Sequence, residues 1–179
     1  MKKNYENSLR EIIKEYNLKP KKKLGQNFLH DKNIISSIVN KANIEDEDII
    51  EIGPGPGILT ESILNNKARS LLAIEKDDSF EVNLKKIRSN YRDNFDYLIN
   101  DVIDFDFKKL TKKNYKFVSN LPYNISVPFI LKMIRIRKII PWKEMILMVQ
   151  KEVADRITAK ISTKNYGRLS IMVNLNNDV

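Results

Sequence analysis

From residue 46 onward, short apolar runs alternate with longer amphipathic stretches, and this alternation limits the folds open to the chain more than any other feature. Strand-like runs fall at 48–52, 70–75, 96–100, 115–120 and 144–150. Helix-like segments lie between most of them, at 57–65, 77–90 and 125–138, with another at 151–160 after the last run. Strands rich in Ile, Leu and Val that take turns with helices predict an α/β fold. The expected form is a mostly parallel sheet with helices on both faces.

Before this core, Tyr5, Leu9, Ile12, Ile13 and Tyr16 fall at helical spacing and predict a helix over 4–17. Lys19-Pro20-Lys21-Lys22-Lys23 breaks it as a cationic hinge, and Leu24 to Leu29 forms a loop. Asp31 can cap a second helix carrying Ile34, Ile35, Ile38, Val39 and Ala42. The expected organisation is a helical extension with a basic loop over 1–45 and a Rossmann-like core over 46–179.

The first strand runs into Glu51-Ile52-Gly53-Pro54-Gly55-Pro56-Gly57. In open parallel sheets ligands bind at the carboxyl ends of the strands. Glycines there remove the Cβ atoms that would hold a nucleoside away. The G-x-G-x-G spacing departs from the G-x-G-x-x-G of nicotinamide binding. Taken alone, the motif has a second, less favoured reading as a tight strand-to-helix turn. Glu75 closes the second strand, where a carboxylate either accepts from ribose hydroxyls or caps the next helix. Asp101 closes the third and can accept from an adenine amine. Glu51, within the first strand, needs a partner if buried: a backbone amide or a cofactor ammonium.

Asn120-Leu121-Pro122-Tyr123 follows the fourth strand. The Asn120 side-chain oxygen and the Leu121 carbonyl can accept both hydrogens of an exocyclic amine, Pro122 fixes the turn, and Tyr123 can stack on a base. The alternative is a proline turn with Tyr123 in the core.

The chain has no cysteine. That excludes thiolate metal sites, cysteine nucleophiles and cysteine-ligated clusters. No metal site is expected. His30 is the only histidine, either a base or a satisfied loop residue. A net charge of +9 favours a polyanionic partner, or reflects a merely basic surface. Lys21, Lys22 and Lys23 are candidate phosphate contacts. Arg135, with Lys132, Arg137 and Lys138, either adds to them or forms a solvated helix face. No run of about 18 apolar residues occurs, so no membrane span is expected.

Several motifs lie in family order over residues 21 to 170. They are Leu24-Gly25-Gln26-Asn27-Phe28-Leu29, Glu51 to Gly57 with Leu59-Thr60, Asn120 to Ser126, Val149 to Ala154 with Arg156, and Tyr166 to Ser170. In these the chain resembles the ribosomal RNA small-subunit adenine dimethyltransferases. The resemblance implies a class I fold that binds S-adenosyl-L-methionine through Asn27, Leu29, Gly53, Glu75, Asp101 and Asn120, with Gln26, Glu51 and Gly55 around it. It implies dimethylation of N6 on two adjacent adenosines near the 3′ end of 16S rRNA. The expected substrate is a partly assembled 30S particle, the compartment the cytoplasm, and the enzyme a monomer with a part in ribosome biogenesis.

The family pattern continues with a Phe-x-Pro-x-Pro-Lys-Val segment, the last strands and a small C-terminal helical domain. The sequence stops at Val179 without them, so a truncated, weakly active or inactive form is expected, with an exposed fifth strand prone to association. The alternatives are a macrolide-resistance-type enzyme acting on large-subunit rRNA, a non-catalytic nucleic-acid-binding relative and, less favoured, a nicotinamide oxidoreductase.

Overall fold

The computed structural model describes residues 14, 19, 21–110, 114–175 and 177–179. Of the helix expected over 4–17, all but residue 14 lie outside the described residues. Five strands form one sheet: β1 (Asp48–Ile52), β2 (Ser70–Glu75), β3 (Phe95–Ile99), β4 (Tyr115–Asn120) and β5 (Trp142–Met148). Their order is β3-β2-β1-β4-β5 and every pairing is parallel. The order reverses between β1 and β4, which opens a crevice at their carboxyl ends.

Burial explains why these runs are strands. All five β1 residues are buried, and Ile49 packs on one face while its neighbour Ile50 packs on the other. This is the two-residue alternation of a strand covered on both sides. On the first face, α1 (Lys32–Ala42), α2 (Ile58–Asn65) and α3 (Glu81–Asn90) meet the sheet through Ile35, Ile38, Ile63, Leu84 and Ile87. On the second face α4 (Ser126–Ile136) inserts Phe129 and Met133 beside Phe107, Phe117 and Trp142. Helix α1 therefore shares the core of β1. Two short helices follow β5: α5 (Lys151–Ile157) and α6 (Arg168–Asn174).

Helix α1 starts where Asp31 accepts from the amides of Asn33 (2.8 Å) and Ile34 (3.3 Å), as expected of a cap. Its stripe is narrower than the sequence implied, because Ile34 is 42% exposed. At its other end Asn43 turns left-handed, and the buried Lys116 of β4 donates to the carbonyls of Ala42 (2.7 Å) and Asn43 (3.0 Å). A cation there satisfies orphan carbonyls and opposes the negative end of the helix dipole.

Strand β5 occupies 142–148 rather than 144–150. Its pairing begins with Trp142 opposite Tyr115, and Gln150 already serves as the N-cap of α5. The expected 77–90 helix divides into a 3₁₀ turn (Asp78–Phe80) and α3, because Asp77 caps the turn by accepting from the Ser79 amide. Strand β5 is an edge of the described sheet.

Candidate active site

The site lies in the crevice at the carboxyl ends of β1, β2 and β4. Gly53, Pro54, Gly55 and Pro56 form one wall, and Asn120, Leu121 and Pro122 form the facing one. Both walls are fixed from below. The buried Ser119 donates its hydroxyl to the Ile52 carbonyl, and the buried Asn83 of α3 donates its amide to the Pro56 carbonyl. Neither residue stands out in the sequence, because a serine in a strand and an asparagine in a helix signal nothing until their partners are known.

Gly53 has φ of +66°, and a Cβ placed on it would lie 3.0 Å from the Pro122 ring. The glycine turn and the Asn-Leu-Pro-Tyr loop are thus in direct contact. Gly53→Ala is expected to cost about 1–2 kcal/mol in left-handed backbone strain alone. Thermal melting should show this as a fall of roughly 2–8 °C. Gly55 differs: a Cβ on it would point toward the Phe28 ring at 3.8 Å, across the pocket that both residues line. The space a side chain would fill is left for a ligand.

Glu75 is 5% exposed. One of its oxygens accepts from the Gly55 amide (3.0 Å) and the other from the Asp77 amide (2.8 Å). It therefore braces the glycine turn as well as lining the pocket, and each oxygen keeps lone-pair capacity for a further donor. It does not cap the 3₁₀ turn that follows; Asp77 does. Burial raises its pKa against the pull of those amides.

Within the chain, the partner of Glu51 is a hydroxyl rather than a backbone amide. Thr60 of α2 donates its hydroxyl to the Glu51 carboxylate at 2.6 Å, and both residues are buried. Burial pushes the Glu51 carboxyl up to about 8, with Thr60 opposing the rise and nearby Glu75 adding to it. Asp101 lines the pocket just beyond β3, yet its carboxylate is already engaged by Lys76 (2.6 Å) and the Ile103 amide (2.9 Å). Burial works to raise its pKa, but these two partners and the nearby cations bring it below the usual value. An adenine amine would have to share it.

On the facing wall, Asn120 donates its side-chain nitrogen to the Asn27 carbonyl at 2.9 Å. A carbonyl can only accept, so the nitrogen must face it, and the Asn120 oxygen is left without a described partner. No described donor takes the Leu121 carbonyl either. Tyr123 is 42% exposed, which rules out a core role. Its hydroxyl accepts from the Asn27 side chain (2.8 Å) and its amide donates to the Gly25 carbonyl (3.2 Å).

Residues 21–29 lie across the crevice, and Gln26, Asn27, Phe28 and Leu29 line it. Phe28 meets Phe80 edge to face at 5.7 Å. Among the cations expected at phosphates, Lys21 instead pairs with Asp77 at 2.6 Å. Lys23 is exposed, and the Lys22 side chain lies outside the described residues. Arg135 is exposed in the last turn of α4. The crossover carries that turn to the opposite edge of the sheet, so the structure does not bring Arg135 to the pocket.

Lys132 is no phosphate ligand here: it donates to the carbonyls of Val102, Ile103 and Phe105 at 2.6–3.1 Å. Arg137 lies over the Trp142 ring, 4.2 Å from its centroid. His30 is exposed, with Nδ1 3.2 Å from the Phe28 carbonyl. No metal-binding cluster occurs among the described residues, and no described helix is long and apolar enough to cross a membrane.

A parallel sheet with a glycine turn at its switch point and an acid closing β2 defines the Rossmann-like fold of the class I methyltransferases. Solved structures agree. A dimethyladenosine transferase from Plasmodium falciparum superposes with a TM-score of 0.71 at 32% identity, covering 83% of this chain and 52% of that one. The 23S rRNA methyltransferase ErmE gives 0.61 at 25% identity, covering 82% and 55%. The sequence profile of the family Ribosomal RNA adenine dimethylase matches residues 17–179. The chain belongs to that family. It is 42% identical over 173 residues to the Ribosomal RNA small subunit methyltransferase A of Clostridium acetobutylicum, covering 95% of this chain and 61% of the relative. Its counterpart from Alkaliphilus oremlandii is also 42% identical, over 170 residues, with 92% and 58% covered. The chain spans about 60% of the length of these curated relatives.

Proposed function

We propose that this chain is the cofactor-binding and base-gripping part of an S-adenosylmethionine-dependent enzyme that dimethylates adenosine N6 in small-subunit rRNA. The observation that carries it is the pair of acceptors, the Asn120 oxygen and the Leu121 carbonyl, left without described donors on the wall facing the glycine turn. Similarity to small-subunit enzymes at 42% identity, against 25% for ErmE, favours the small subunit over the large one. From the family we take two adjacent adenosines near the 3′ end, a partly assembled particle as substrate, a part in its biogenesis, a cytoplasmic setting and a monomeric enzyme.

The residues fit the cofactor. Gly55 leaves the space, Glu75 offers acceptors for ribose hydroxyls, and Glu51 lies in the pocket as a buried acid able to answer an ammonium. When bound, S-adenosylmethionine supplies an electrophilic methyl group. Asn120 and Leu121 accept the two N6 hydrogens and draw the nitrogen lone pair out of conjugation with the ring. They also stabilise the positive charge that grows on N6. Tyr123 presents an exposed ring for stacking, worth roughly 1–3 kcal/mol. The proton is lost to solvent after transfer, so no strong base is required.

Calorimetry tests the cofactor directly. S-adenosylmethionine should bind and NADH should not; the reverse would overturn the proposal. Glu75→Ala should weaken binding about tenfold or more, since a hydrogen bond to a charged group contributes about 1.5–3 kcal/mol.

A further inference from the structure

We propose, resting on the reading above, that Asp77 is a positioning residue for the base-holding loop and acts at a distance through residues 21–29. The Asp77 side chain is 1% exposed and fully committed. One oxygen accepts from Lys21 Nζ (2.6 Å), the Ser79 amide (3.1 Å) and the Ser79 hydroxyl (2.6 Å). The other accepts from Gln26 Nε2 (2.8 Å). Gln26 completes a ring by accepting from the Lys21 amide at 2.8 Å.

The neighbours of Gln26 reach the other way. Gly25 and Asn27 give their carbonyls to the Tyr123 amide and the Asn120 side chain, and the Asn27 side chain holds the Tyr123 hydroxyl. Three consecutive residues thus span the crevice, with Gln26 clasped on the β2 side and Gly25 and Asn27 on the β4 side. Asp77 also donates its own amide to Glu75, which in turn accepts from Gly55. One line of hydrogen bonds therefore joins the glycine turn to the aromatic ring.

The two ends of this strap are unequal. Asn27 and Tyr123 are exposed, so water competes for their hydrogen bond. The bonds at Asp77 are charge-assisted and converge on a buried carboxylate, although the Lys21 side chain remains half exposed, and charge-assisted bonds are the strong ones. Fixing the strap there removes the freedom that the Asn27–Tyr123 contact would otherwise have to overcome. The orientation of the Tyr123 ring is thereby set by an acid that does not touch it.

The test is fluorine NMR on the whole chain labelled with 3-fluorotyrosine, which reports on all seven tyrosines. Tyr123→Phe identifies the Tyr123 resonance. In ligand-free Asp77→Ala that resonance should move toward its position in Asn27→Ala while the others hold. Asp77→Asn, which keeps one good acceptor, should give a smaller displacement, and Asp78→Ala none. A purely structural role for Asp77 would lower the melting temperature but leave the Tyr123 resonance of the folded protein in place; that result would overturn the proposal. If Asp77→Ala does not fold, Gln26→Ala and Lys21→Met each remove one arm of the clasp and carry the same expectation. Titration with S-adenosylhomocysteine separates the two ideas. Absence of binding would count against the methyltransferase, while the ligand-free spectra still decide the strap.

Discussion

Asn120→Ala is expected to lower methyl transfer to unmodified small-subunit particles by about 10²–10³-fold, the loss typical when one preorganised electrostatic contact to a transition state is removed. The side chain has two jobs. Its nitrogen fixes the strap through the Asn27 carbonyl, and its oxygen is the proposed acceptor for the amine. Asn120→Asp keeps an acceptor but sets a carboxylate against that carbonyl, so it should rescue little. Cofactor affinity should fall in both variants, since Asn120 lines the pocket and holds Asn27, but less than turnover, because Glu75 and the glycine turn are untouched. Methyl incorporation, read beside calorimetry, separates the two quantities. Equal activity of Asn120→Ala and the parent chain would remove Asn120 from the mechanism.

The second large effect concerns pH. Glu51 titrates near 8 in the fold against about 4.5 when unfolded. A group whose folded pKa is raised binds its proton more tightly in the native state. Its contribution is therefore complete below about pH 4.5 and is lost as pH rises toward 8. Each unit is worth about 1.4 kcal/mol, which puts the upper bound of the loss at about 5 kcal/mol. Glu51→Gln keeps the shape and an acceptor for Thr60 but has no charge to bury. It should match the parent chain in melting temperature near pH 4.5, exceed it near pH 9 and show a flatter profile between. A parent profile without that decline would contradict the burial argument. Binding of a cationic cofactor should favour the carboxylate, so calorimetry near neutral pH in buffers of different ionisation enthalpy should detect proton release. Glu51→Gln should abolish that release.

Asp77 has the opposite sign. Burial would raise it, but Lys21, Ser79 and Gln26 hold it at about 2. Its contribution is present above the ordinary carboxylate range and is lost only as pH falls through about 4 to 2. The clasp and the Glu51 proton are thus both in place at mildly acidic pH.

Most of the sheet was legible because its inner strands are predominantly apolar runs, as expected of parallel strands covered on both faces. The limits of β2 and β4 match the expected ones, and β1 matches with every residue buried. Helix α6 was not anticipated: it has seven residues, too few for a helical period to stand out. The site was legible wherever a residue's backbone duty is local. Gly53, Gly55, Glu75 and Asn120 follow directly from standing at strand ends. Where the duty depends on a distant partner, the sequence is silent. Nothing in the run around Lys21 announces Asp77, 56 residues away, which holds it. Lys132 reads as a surface cation until it closes over three carbonyls. Thr60 was visible only as part of a family motif, not as the partner of a buried acid.

The crevice between β1 and β4 also bears on how such a protein can change over generations. The walls that meet there come from separate stretches of the gene: on the proposed reading, Glu51 to Asp101 faces the methyl donor and Ser119 to Tyr123 faces the base. They are joined by the parallel β1–β4 pairing, Pro122 against Gly53, Ser119 on Ile52, and the strap above. On the proposed reading, substitutions confined to the loop after Asn120 would change which base or RNA is held while leaving the Gly55–Glu75 contact in place. A dimethyladenosine transferase and a 23S rRNA methyltransferase sharing one framework are what such separable inheritance would leave behind.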